Sequence, residues 1–301
     1  MRNLSKFFPL FILNASPLWA QAAAYKIDPS PLLKHGAEAS LYFDLQKIFD
    51  RSALTIEQHQ QRTAVLQSVI QLEPEWIDGY WLLGAEHFML ASAFTRPGDY
   101  GKAEQHLDSA QSLTEKCLER QPRQILCKFF LASVLAKKSS LQGILASLRY
   151  GPKIHSLWNE VLLSGQEFWF RPNASLKGSV RYGLGLFYRL VPDRWLVERM
   201  FSIRGNLGRS IALHREGLQL NPRDPCSRLM LGVALLCEGR RRDQLTEQEE
   251  AQQILESVGE APVFDVNQAH CQADMHRVRS EPTLACGYTQ AVPLDEKNTP
   301  S

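Results

Sequence analysis

Four prolines divide most of this chain into segments of nearly equal length. Pro74 in QLEPEW, Pro122 in ERQPRQ, Pro172 in FRPNAS and Pro222 in LNPRDP are separated by 48, 50 and 50 residues. Ten residues after three of them, a small residue follows a bulky one: Leu83-Gly84, Leu131-Ala132 and Leu231-Gly232. The third segment slips by one, to Tyr182-Gly183. Sixteen prolines in 301 residues make a single coincidence cheap, but not four joint matches. Proline cannot continue a helix, and its fixed φ suits the first turn of the next one. A small residue one or two turns into that helix lets a paired helix come close, while the bulky residue before it fills the space beside the contact. Hairpins of fixed period then stack, each burying the apolar face that its neighbour leaves open.

Helical periodicity agrees. Leu41, Leu45, Ile48 and Phe49 fall at i, i+4, i+7 and i+8, and Leu66, Val69 and Ile70 form a second stripe. Thr55-x-x-Gln58 is a capping box just ahead of that stripe. Little of the chain alternates as a strand would, so the expected fold class is all-α. The stretches GNLGRSIALHREGLQLNPRDPCSRLMLG and PEWIDGYWLLGAEHFM resemble a tetratricopeptide junction and a first repeat helix. The resemblance implies stacked helix hairpins, an α-solenoid. The period near 50 departs from the usual length of about 34 residues. The excess is expected as insertions between paired helices, at 92–102 and at 137–153, the latter as a lid or an inward plug.

The first residues form a separate unit. MRNLSK carries Arg2 and Lys6 without an acid, FFPLFIL is apolar, and Ala20-Gln21-Ala22 suits cleavage, so residues 1–22 are expected to be a signal peptide. That run is too short to span a membrane permanently. Residues 23–37 are then an N-terminal extension, 38–260 the helical-repeat domain and 261–301 a C-terminal tail. Loss of the signal takes Lys+Arg from 34 to 32 against 32 Asp+Glu, a formally neutral chain. Such a chain lacks the positive field of nucleic-acid binders. The one basic cluster, Arg240 to Arg242, suits the end of a helix, where cations meet exposed carbonyls.

Six cysteines, Cys117, Cys127, Cys226, Cys237, Cys271 and Cys286, fit the oxidising compartment that export implies. Cys226 and Cys237 share one expected helix, which separates them by roughly 16 Å and forbids a mutual bond. Cys117 and Cys127 flank a turn and can pair across a hairpin. Cys226 and Cys237 are left to meet Cys271 and Cys286, in an order the sequence leaves open. Segment 269–288 also gathers His270, Asp274 and His276 beside two of these cysteines, which are metal-ligand types. Neither His-x-x-x-His nor Cys-x-x-Cys spacing is present, and oxidised cysteines do not ligate. No Gly-x-Ser-x-Gly occurs, and Gly183-Leu184-Gly185 follows no strand, so it reads as close helix packing. The expectation is a non-enzyme without metal or cofactor, a metal-dependent enzyme using 269–288 being the least favoured reading.

Aromatic residues crowd the central repeats: Tyr80, Trp81, Tyr150, Trp158, Phe168, Trp169, Tyr182, Phe187, Tyr188 and Trp195. First helices of stacked hairpins build a concave face, where aromatics and arginines anchor partners. Tyr80, Arg149, Tyr150, Trp158, Arg181 and Tyr182 are therefore the expected binding residues, with at least one of the three tyrosines in a groove. The segments RYGPKIHSLWNEV and VRYGLGLFYRLVP, with the junction above, also resemble the T-component accessory proteins of tripartite ATP-independent periplasmic transporters. That resemblance implies a periplasmic or secreted scaffold that docks on a protein partner, such as a solute-binding protein, and holds a small ligand in a central channel. No cysteine precedes Cys117, so the lipid anchor of such lipoproteins is missing. The alternative function is a carrier or sensor of an apolar or anionic ligand in that channel.

Overall fold

The computed structural model describes residues 23–94, 99–172 and 174–289. The expected signal peptide, part of the 92–102 stretch and the end of the tail lie outside them. Among the described residues the chain is all-α. The first helices are α1 (Ser30–Lys34), α2 (Gly36–Phe49) and α3 (Ile56–Leu72). There follow α4 (Ile77–Ala93), α5 (Tyr100–Arg120), α6 (Ile125–Gln142) and α7 (Ile144–Leu163). The second half holds α8 (Leu176–Leu190), α9 (Trp195–Phe201), α10 (Leu207–Leu220), α11 (Pro225–Arg242), α12 (Leu245–Glu256) and α13 (Val266–Ser280), then a 3-10 turn over Pro282–Cys286. Two scraps of sheet complete it: β1 (Ala23–Ala24) runs parallel to β2 (Gln166–Glu167), and β3 (Trp169–Arg171) antiparallel to β4 (Ala174–Ser175).

The helices pair as antiparallel arms, α4 with α5, α6 with α7, α8 with α10 and α11 with α12, and each hairpin packs on the next. Local chemistry sets the boundaries. Thr55 and Gln58 form the reciprocal capping box that opens α3, and Ser175, Asn206, Asp224 and Asp265 cap α8, α10, α11 and α13. The basic run Arg240 to Arg242 lies in the last turn of α11.

A new helix begins three residues after Pro74, Pro122 and Pro222, and four after Pro172. Pro172 sits in the turn between β3 and β4, and that small hairpin supplies the extra residue. Counted from the helix start, Gly84, Ala132, Gly183 and Gly232 share one position. Leu83, Leu131 and Leu231, the bulky residues before three of them, are buried. A Cβ on Gly84 would lie 3.1 Å from the Thr114 side chain of α5, and one on Gly232 only 2.7 Å from Leu255 of α12. Gly183 departs from this pattern. Its Cβ would meet Trp158 of α7 at 2.7 Å, while Gly178 and Gly185 take the seam with α10, against Asn221 and His214. Helix α8 is thus pressed closely on both sides, by different glycines.

The long period also has a different origin from the expected one. Helices α4 to α7 run to 17, 21, 18 and 20 residues, so the extra length lies within the arms. Residues 137–142 finish α6 and 144–153 begin α7, joined at Gly143, whose φ of +95° suits glycine alone. No separate lid or plug forms there. The inserted element is α9, which interrupts the hairpin of α8 and α10.

All six cysteines are paired. Cys117–Cys127 joins the end of α5 to α6, as expected, while Cys226–Cys271 and Cys237–Cys286 tie α13 and the 3-10 turn to α11. Three disulfides fit an oxidising, extracytoplasmic compartment. No helix among the described residues is long and apolar enough to cross a membrane.

His214 of α10 is wholly buried, and burial, with Arg189 nearby, drives its pKa down to about 3. In the unfolded chain it takes a proton near pH 6.5. The folded state cannot bind that proton, so this residue's effect is nil above pH 7 and increasingly destabilising as pH falls from 6.5 toward 3. Between pH 7.5 and pH 5 the difference in unfolding free energy between the natural chain and His214→Leu should shift by about 2 kcal/mol in favour of the variant. Urea titrations of both chains at the two pH values measure it, and parallel pH profiles would refute it.

Candidate functional site

The hairpins curve until their ends meet. Helix α13 returns against α4, and Arg171 on β3 spans the join: its guanidinium lies 3.8 Å from the Phe49 ring centroid of α2 and 5.1 Å from that of Phe264. Its Nη2 also donates to the Phe264 carbonyl at 3.0 Å. The closed arc surrounds a cavity of about 1450 Å³. First helices α4, α6 and α8 supply the largest share of its wall, with further residues from α2, α3, α7, α13 and β3.

Aromatic rings dominate that wall. Trp81 stacks on Phe130 at 5.9 Å and meets the edge of Phe168 at 5.6 Å, and Phe170 closes the group against Phe129, Phe130 and Phe168. Each side chain follows from its element: Phe129 and Phe130 lie on α6, and Phe168 and Phe170 alternate on the strand segment that precedes α8. The N-terminal extension braces the group. Asp78 accepts from the Tyr25 hydroxyl, from the Asp28 amide at 2.9 Å and from Trp81 Nε1 at 2.8 Å, which fixes the indole that stacks on Phe130. Burial, then the Asp78 carboxylate, raises the pKa of Tyr25.

Charged groups reach the same space. Glu86 of α4 is buried and ties together two residues of α3: His59 Nδ1 lies 2.6 Å from Oε2 and Arg62 Nε lies 2.7 Å from Oε1. Arg62 also donates to the Tyr42 hydroxyl at 3.2 Å and lies over the Tyr42 and Phe49 rings. Lys137 on α6 lines the cavity without an ion-pair partner among the described residues, and burial lowers its pKa to about 8. Burial likewise lowers the pKa of Arg171, to about 10. Among the described residues, three buried donors along the wall have no hydrogen-bond partner: Trp158 Nε1, Arg171 Nε and Arg62 Nη1.

Of the six expected binding residues, Trp158 and Tyr182 line the cavity. The other four lie away from it. Tyr80 is buried outside it, its hydroxyl donating to the Pro74 carbonyl at 2.9 Å with Arg120 over its ring. Arg149 is exposed, Tyr150 packs against the core, and Arg181 pairs with Glu216 of α10 at 2.8 Å. Segment 269–288 loses its thiols as ligands, since Cys271 and Cys286 are in disulfides and Asp274 accepts from the Tyr288 hydroxyl at 2.6 Å. Among the described residues no cluster of three or more His, Cys, Asp or Glu side chains could hold a metal ion.

Sequence reasoning missed Arg62, Lys137 and Arg171. The signal for Arg171 was available in EFWFRP, where aromatics alternate through a short extended segment that ends on arginine. Neither a protein-family model nor a curated protein matches the chain. The helical-hairpin fold rests on its own geometry.

Proposed function

We propose that this chain is an exported binding protein that carries or senses a small amphipathic ligand in its central cavity. The observation that carries this reading is the pairing of aromatic walls with buried, unpartnered donors around one cavity. Ligand sites are mostly apolar with a few well-placed polar groups, and buried donors without acceptors cost free energy unless something answers them. At about 1450 Å³ the cavity exceeds ordinary drug-sized sites of about 300–1,000 Å³, which favours a bulky or long ligand. The basic and apolar N-terminus together with three disulfides supports export, to the periplasm in a bacterial host.

One further observation favours a protein partner as a second reading. On α9, Trp195, Leu196 and Met200 are all more than half exposed, and Arg194 and Arg199 beside them have no ion-pair partner among the described residues. The tetratricopeptide and T-component resemblances agree with both readings, since they imply stacked hairpins, a central channel and a docking surface for a solute-binding protein.

Native mass spectrometry of the protein purified from its own cells, with titration of the neutral dye N-phenyl-1-naphthylamine, tests the carrier reading. A small-molecule adduct or saturable dye uptake near one equivalent is expected. A clean apo mass with no dye uptake would overturn it.

A further inference from the structure

The cavity's polar groups are unbalanced in one direction. Its acids are engaged: Glu86 by His59 and Arg62, and Asp50 by Gln46 at 2.8 Å. Asp224 accepts from Ser227 and Gln268, and Asp265 accepts from the Gln268 amide. Its cations are not all engaged. Arg171, only 8% exposed, spends Nη2 on a backbone carbonyl and leaves Nε open; Asp265 and Asp50 act on it through space, but among the described residues no carboxylate lies at ion-pair distance. Arg62 lies over the same Phe49 ring, which puts the two guanidinium groups within about 9 Å of each other. Lys137 brings a further positive charge to the wall without a partner.

A charge taken out of water without a counter-charge is costly. Guanidinium on an aromatic face keeps its planar donors available and matches a carboxylate edge-on. The rings of Trp81, Phe129, Phe130, Phe168 and Phe170 make the wall next to Arg171 apolar, so an anion that reaches it is best carried on an apolar body.

We propose that the ligand is an apolar acid, the simplest being a long-chain carboxylate, whose anionic head is held by Arg171 with Lys137 as a second cation of the same site. This deepens the carrier reading and rests on it. The hydrocarbon part lies against Trp81, Phe129, Phe130, Phe168 and Phe170.

The test uses the full exported chain at pH 7.4 and two fluorescent probes, cis-parinaric acid and its methyl ester, which differ in the charge of the head. The acid is expected to bind at least about tenfold more tightly than the ester, the gain of one charge-assisted contact. In Arg171→Gln the acid should fall to the level of the ester while the ester is unchanged. Lys137→Met should reduce acid binding about three- to tenfold, again sparing the ester. Circular dichroism of each variant checks folding. Should Arg171→Gln fail to fold, the acid-to-ester ratio of the natural chain and the Lys137→Met result decide alone. Equal binding of both probes overturns the acidic ligand and leaves the carrier reading standing. Full selectivity for the acid in both folded variants overturns the assignment to Arg171 and Lys137. Binding of neither probe overturns the inference, and with failed dye uptake it overturns the carrier reading too.

Discussion

Joint replacement of Cys237 and Cys286 by alanine is expected to lower the unfolding free energy by about 4 kcal/mol. The bond closes a loop of 49 residues, and Cys226–Cys271 closes one of 45, so chain entropy gives each a similar effect, above the about 3 kcal/mol of the ten-residue Cys117–Cys127 loop. Packing adds to the loss. Buried Arg189 of α8 donates to the carbonyls of Ala285 at 3.1 Å and Tyr288 at 2.6 Å, so a detached tail strands a buried charge. Guanidinium unfolding with and without reductant measures the effect, and hydrogen exchange should show α13 losing protection first. A loss below about 1 kcal/mol would mean that apolar packing of Met275, Val278 and Tyr288 holds the tail unaided.

Glu86→Leu should cost about 3–5 kcal/mol, the usual penalty for removing one partner of a buried ion pair. It leaves Arg62 and His59 without their carboxylate and places an unbalanced guanidinium beside that of Arg171 on the Phe49 ring. Adding Arg62→Met to it should recover most of the loss, because a packed apolar pair often matches a buried ionic one. Urea denaturation of the two single variants and the double variant separates these terms. A double variant no more stable than Glu86→Leu would show that shape, not charge, is what Glu86 contributes.

The hairpin architecture was legible because its punctuation is local. Proline, the Leu-Gly step and the Thr55–Gln58 box act within a turn or two of their own positions, and the order of helices follows. The Cys117–Cys127 pair was legible for the same reason. The cavity was not, because lining depends on how each helix is rotated, and one residue changes the direction of a side chain by about 100°. Tyr80 and Trp81 are neighbours, yet only Trp81 faces the cavity. Gly183 shares its helix position with Gly84, yet α8 presents it to the preceding hairpin. Arg149 and Arg181 stand beside tyrosines in the sequence and point outward. Lys137 was hidden for another reason: it lies in KKSS, a segment whose composition reads as an insertion, whereas Arg171 ends the alternating aromatics of EFWFRP.

The return of α13 to α4 also fixes how many hairpins this molecule can have. An open array can gain or lose a unit and still bury the faces of those that remain. Here α13 must find α4, as the clasp of a bracelet must find its ring, so duplicating or deleting one fifty-residue link would part the two ends. The number of links is therefore set by geometry, and the size of what can be held inside is set with it.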